Sequence, residues 1–376
     1  MKKLVICCDG TWNKADQEHE GEPCPTNVVR LAYRIAKRDV KGNAQIVFYH
    51  RGVGTGNAVD RVTGGAIGEG LEENIYNAYQ FLLANYEMGD ELFVFGFSRG
   101  AFTARSLVGM VRKCGILDHK YARRYGEATR LYRDAVKPTD PVPVKFRSSY
   151  SVCGDQPIDV QLVGVWDTVG ALGIPLRGLR WLTNRDYQFH DTELSGVVKN
   201  AVQALAIDEH RAPFKPAIWE YKPKDWQRVE QVWFCGAHSD VGGGYAREKR
   251  ATVTPGQSPL EPQLSDISLA WMLEKAAAAG LQLDDDTIKS NPLELDPMAK
   301  IHDSKTGLYN LVPEYDRAIG LATIDKEQTQ GLDLTQSLHA SVLARWDRDP
   351  KYRPESLKRY FEKMEDPRAT PLNPTD

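Results

Sequence analysis

The sequence predicts an α/β fold, a mainly parallel β-sheet covered by helices. Two observations carry that expectation. Five short apolar runs rich in β-branched and aromatic residues recur at about 3–9, 44–49, 91–96, 159–166 and 229–235, and segments with helical spacing separate them. Strands that alternate with helices need crossover connections, which lay the strands parallel and bury both faces of the sheet.

The first run follows Met1-Lys2-Lys3 and resembles the start of a signal peptide, but its apolar stretch is about half the minimum for such a segment and Asp9 ends it. It reads as the first strand. Thr26 is placed to cap a helix reaching about Arg38. Leu71, Ile75, Tyr79, Leu82 and Tyr86 form one stripe of a second helix, a third follows Ser98, and a fourth is expected near 195–206. After residue 247 the pattern changes. Pro255, Pro259 and Pro262 mark a linker, helices are expected near 266–280, 335–346 and 354–364, and no convincing buried strand follows. The expected organisation is an α/β-hydrolase-like core over 1–247 and an α-rich C-terminal section over 248–376, whose tail from Asp366 is expected to be disordered.

The 376 residues suffice for one large domain and an appendage, and a formal net charge of −3 from interspersed charges lacks the footprint of a nucleic-acid binder. The six cysteines are scattered without metal or redox spacing and read as reduced residues of a cytoplasmic protein. No stretch approaches the ~20 apolar residues that span a bilayer. Transient membrane contact and export by a signal-independent secretion system stay open, as does the oligomeric state.

In a parallel sheet, ligands bind beyond the carboxyl ends of the strands. The third run leads into Gly96-Phe97-Ser98-Arg99-Gly100, a serine between a buried strand and a helix. That is the context of a nucleophile elbow, where the serine occupies a strained turn and small neighbours let strand and helix approach. The fourth run ends in Trp166-Asp167-Thr168, the fifth in Gly236-Ala237-His238-Ser239-Asp240. The order Ser98, Asp167, His238 is that of an α/β-hydrolase. Ser98 is the expected nucleophile, His238 the base and Asp167 the acid that orients it, with Asp208 and Asp240 as rival acids. The backbone of Arg99 and the Gly10-Thr11 turn are the expected oxyanion-hole donors. Asp9, Trp12, Arg51 and Gly54, beyond the first two strands, are expected to contact substrate. The glycine-rich segment from Gly52 lacks the Walker and dinucleotide patterns, and no cofactor or metal is expected.

Several segments together resemble the catalytic-domain family of the type VI secretion lipase effectors: Cys8-Asp9-Gly10-Thr11-Trp12-Asn13, Gly52 to Gly56, Gly96 to Ala101, Val165 to Val169, Ile207 to Arg211 and Trp233 to Tyr245. The resemblance implies an α/β-hydrolase fold, a nucleophile at Ser98 and action on a lipid or other carboxylic ester, phospholipid in the effector members. Two alternatives stand beside it. Asp9, Asp167, His238 and Asp240 carry ligand chemistry for a metal-dependent hydrolase, and a non-catalytic binding member could share the fold.

Overall fold

Seven strands form one sheet whose neighbours all pair in parallel: β1 (Lys3–Cys8), β2 (Gln45–His50), β3 (Glu91–Phe97), β4 (Val160–Trp166), β5 (Val198–Ala206), β6 (Arg228–Phe234) and β7 (Gln336–Leu338). Their spatial order is β2-β1-β3-β4-β5-β6-β7. The computed structural model describes residues 1–10, 13–52, 64–169, 194–219, 224–254, 258–305, 313–323 and 330–366.

Strand periodicity divides the core in two. Val5 and Cys7 of β1 and Phe93, Phe95 and Phe97 of β3 face one side, where they pack with Val28 and Leu31 of α1 (Asn27–Ala32). Leu4, Ile6, Leu92 and Val94 face the other, against Ile75 and Tyr79 of α2 (Gly64–Asn85) and Ala101 and Leu107 of α3 (Arg99–Cys114). This two-sided burial is why the strands read as continuous apolar runs. The chain leaves β1 toward β2 on one side and returns to β3 on the other, so the order reverses between β1 and β3. A crevice at the carboxyl ends of these strands is the expected ligand position.

Three expected elements differ. Residues 198–206 form a strand, not a helix. Val198-Lys-Asn-Ala-Val-Gln-Ala-Leu-Ala206 is alanine-rich and favours helix locally, but pairing with β4 on one edge and β6 on the other overrides that preference. The helix after Thr26 stops at Ala32, although Thr26 does cap it by accepting from Val29 N. A buried sheet position also follows residue 247. Strand β7 has three residues, too few to show a period, and the Gln336 amide oxygen accepts from Trp233 Nε1 at 2.9 Å.

Later segments cover the α1 face. Leu269, Trp271 and Met272 of a helix at Leu264–Ala278, and Trp346, Leu357 and Phe361 of helices at Ala340–Arg348 and Glu355–Lys363, join the same apolar cluster as the sheet. Among the described residues, no helix is long and apolar enough to cross a membrane.

Candidate active site

Ser98 sits between β3 and α3 with φ 57° and ψ −123°, a left-handed conformation that a side chain opposes. Its surroundings hold it there. Ser98 N donates to Trp166 O at 3.0 Å, and Ser98 O accepts from Ala101 N and Phe102 N in the first turn of α3. The flanking glycines answer to packing. A Cβ on Gly96 would lie 2.5 Å from Gly100 O, and one on Gly100 would lie 2.2 Å from Cys8 O and 2.4 Å from Asp9 O. Strand β1, strand β3 and helix α3 therefore meet where only hydrogen atoms fit. Gly100→Ala is expected to cost at least about 3 kcal/mol, since its obstacle is backbone that cannot rotate away. Urea unfolding beside wild type checks this, and an unchanged midpoint would contradict the packing argument.

Asp167 follows β4 with φ 39° and is fully buried. Its Oδ2 lies 2.5 Å from His238 Nδ1, and its Oδ1 accepts from Ala206 N at 3.1 Å. Arg317 also grips it, Nη1 to Oδ1 at 2.5 Å and Nη2 to Oδ2 at 2.9 Å. Burial alone would raise the carboxyl pKa. The Arg317 charge and the His238 hydrogen bond outweigh burial and hold it well below the usual carboxylate range.

His238 begins a short helical turn, His238–Gly242, with its ring against Phe97 at 4.6 Å and Phe214 at 4.9 Å between centroids. Burial lowers its pKa below the ordinary 6.5, and the Asp167 carboxylate only partly opposes this. With Nδ1 directed at Asp167, the buried Nε2 has no partner among the described residues. An imidazole held this way offers its second nitrogen as a proton acceptor. Ser98 stands at the same carboxyl edge of the sheet: it follows Phe97, which packs on the imidazole, and bonds to Trp166, which precedes Asp167.

The two rival acids have other partners. Asp208 Oδ2 accepts from Gly236 N at 2.6 Å and Tyr352 Oη at 3.0 Å, which ties the turn before His238. Asp240 accepts from Ala237 N at 3.0 Å and pairs with His302 Nδ1 at 2.6 Å, holding the start of the turn that carries His238. Two further groups had no role assigned from the sequence, although the first lies within the Ile207 to Arg211 segment. Glu209, buried beside Asp208, accepts a two-pronged contact from Arg211, with Nε and Nη2 each at 2.8 Å, and His238 N lies 3.3 Å from its Oε2. Arg317 is the other. Glu209 follows β5, so recognising that strand would have pointed to it, whereas nothing around Arg317 marks it.

At the end of β1, buried Asp9 accepts from Gly10 N at 2.7 Å, Tyr49 Oη at 2.8 Å and Thr26 Oγ1 at 2.9 Å. Burial nonetheless pushes its carboxyl up to about 6. Gly10 lies against the serine, since a Cβ there would be 3.2 Å from Ser98 Cβ. Arg51 is exposed. Thr11, Trp12 and Gly54 lie outside the described residues. Of the four side chains of the metal alternative, Asp167 and His238 bond to each other while Asp9 and Asp240 face separate partners, and among the described residues no three His, Cys, Asp or Glu side chains gather to hold an ion.

A parallel sheet with a strained serine at a strand–helix elbow and a buried Asp–His pair beyond the carboxyl ends of two other strands defines an α/β-hydrolase-like protein. The family model for the type VI secretion phospholipase effector Tle1-like catalytic domain matches residues 2–275, and the chain belongs to that family. It is 27% identical over 244 residues to the uncharacterized protein YEL023C of Saccharomyces cerevisiae, covering 59% of this chain and 33% of that protein. The chain thus spans about a third of the length of that curated relative. Two solved structures are similar. An uncharacterized protein from Pseudomonas aeruginosa has a TM-score of 0.45 and 18% identity, covering 75% of this chain and 46% of that one. The Tle1 effector bound to the VgrG spike of the type VI secretion system has a TM-score of 0.37 and 21% identity, covering 65% and 51%.

Proposed function

We propose that this protein is a serine hydrolase of carboxylic esters, with phospholipids as the substrate class that its family membership favours. The observation that carries the reading is the buried His238, tied through Nδ1 to Asp167 with Nε2 unpartnered among the described residues and its ring packed on Phe97, the residue before a serine in a strained elbow.

In this reading Ser98 Oγ attacks the ester carbonyl carbon as His238 Nε2 takes its proton, and Asp167 stabilises the imidazolium that results. The carbonyl oxygen becomes an oxyanion. It is met by the Arg99 N–H at the amino end of α3, where the helix dipole favours negative charge, and by a second donor from the turn after β1. Gly10 N is directed at its own neighbour Asp9, so Thr11 is the stronger candidate for that second donor. The tetrahedral carbon collapses, the alcohol leaves with the proton from His238, and an acyl-serine remains. Water then repeats the sequence, giving its proton to His238 as it attacks, and releases the carboxylic acid.

Hydrolysis of p-nitrophenyl esters of graded length and of a fluorogenic phospholipid, with and without chelator, tests the reading. Chelator-insensitive turnover that Ser98→Ala removes is expected. Chelator-sensitive turnover that survives the substitution would move the chemistry to other groups.

The pH dependence has a definite sign. His238 accepts a proton only when neutral, and burial holds its pKa below 6.5. The acid limb of kcat/KM is therefore expected to have its midpoint below pH 6.5, with activity sustained above it. A midpoint clearly above 6.5 would contradict a desolvated imidazole as the base.

A further inference from the structure

We infer that Arg317 is the positioning residue of this site: its guanidinium fixes Asp167 in the orientation that receives His238 Nδ1–H and balances the buried carboxylate's charge. The inference rests on the serine-hydrolase reading for its kinetic part only. Arg317 lies 150 residues from Asp167 in sequence and outside the 2–275 segment that matches the family model, so a later part of the chain completes the site.

The geometry leaves the guanidinium little freedom. Nη1 reaches Asp167 Oδ1 and Ala206 O at 2.5 and 2.8 Å, while Nη2 reaches Asp167 Oδ2 and Phe214 O at 2.9 and 2.7 Å. The side chain is fully buried. One planar fork thus joins the ends of β4 and β5 to the loop whose Phe214 packs on the imidazole. Asp167 Oδ2 is shared between Nη2 and His238 Nδ1, so the fork sets the direction from which the carboxylate meets the ring. A lysine would bring the charge but a single nitrogen, which cannot span both oxygens in this way.

The charges around His238 are Asp167, Glu209, Arg211 and Arg317, two of each sign, while Asp240 on its own turn is paired with His302. In that balanced set burial keeps the imidazole neutral. Removing the Arg317 charge leaves a net negative, buried Asp–His pair that takes up a proton at higher pH, whether the proton resides on ring or carboxylate. The form needed for proton abstraction, neutral His238 with ionised Asp167, is then lost at higher pH.

The test uses Arg317→Met and Arg317→Lys in the full chain. Side-chain NMR titration of His238 in a Ser98→Ala background is read beside kcat and KM profiles for a p-nitrophenyl ester. Arg317→Met is expected to raise the His238 titration midpoint by about one pH unit or more, with the acid limb of kcat/KM following it. A purely structural role would lower the folded fraction and leave the midpoint where it was, and an unmoved midpoint in folded protein overturns the inference. Arg317→Lys is expected to keep the midpoint near wild type while kcat falls roughly 10- to 100-fold at little-changed KM. This variant decides the matter if Arg317→Met does not fold, and wild-type kcat in it overturns the inference. If wild type turns over no ester, or Ser98→Ala retains turnover, the hydrolase reading fails, and the His238 titration still decides the role of Arg317.

Discussion

Ser98→Gly is expected to lose at least about 10⁴-fold in kcat, because the attacking atom itself is gone and only binding and oxyanion stabilisation remain. The same substitution is expected to stabilise the fold. At φ 57° and ψ −123° a serine is strained and a glycine is not. Relief of about 1–3 kcal/mol is offset in part by the extra freedom that glycine gives the unfolded chain, leaving a gain of about 1 kcal/mol. Ser98→Ala lacks that relief, since alanine also carries a Cβ. Urea unfolding of the two inactive variants should therefore rank glycine above alanine. Equal stabilities would mean that the elbow is unstrained, and an active Ser98→Gly would remove the serine from the chemistry altogether.

Asp167→Asn carries the second large effect, and it acts on function and fold together. An asparagine amide can donate to His238 Nδ1, which turns the ring to the tautomer whose Nε2 already bears a proton. Turnover is expected to fall about 10³- to 10⁴-fold. The substitution also strips Arg317 of its counter-charge where neither side chain meets solvent. Breaking one side of such a buried pair costs about 3–5 kcal/mol. Activity per folded molecule, measured beside the unfolding free energy, separates the two losses. A variant that is fully active, or as stable as wild type, would contradict the buried pair described above.

The sequence exposed the residues that strands carry and hid those that loops deliver. Ser98, Asp167 and His238 each stand just beyond an apolar run, and the strand pattern that betrayed the sheet also located them. The local rule failed at 198–206, where alanine and glutamine favour a helix and only pairing on both edges makes a strand. That failure concealed a strand end, and with it Glu209 and Arg211, which lie beside His238. Arg317 was beyond reach for a different reason. One arginine in an irregular segment carries no periodicity, and its value comes from carbonyls and a carboxylate brought together by β4, β5 and the loop at Phe214. The rival acids show the converse. Asp240 is correctly read as following a strand and Asp208 stands beyond the strand that local preference hid, yet the carboxylates of both hold the turns around His238.

Covalent labelling tests most directly whether Ser98 is an activated nucleophile. Wild-type protein treated with a fluorophosphonate, digested and mapped by mass spectrometry, should carry a single phosphonyl adduct on the peptide containing Ser98. The His238→Ala variant should label far more slowly. Failure of Ser98 to label in protein that is folded, or equal labelling without His238, would contradict a serine activated by this histidine.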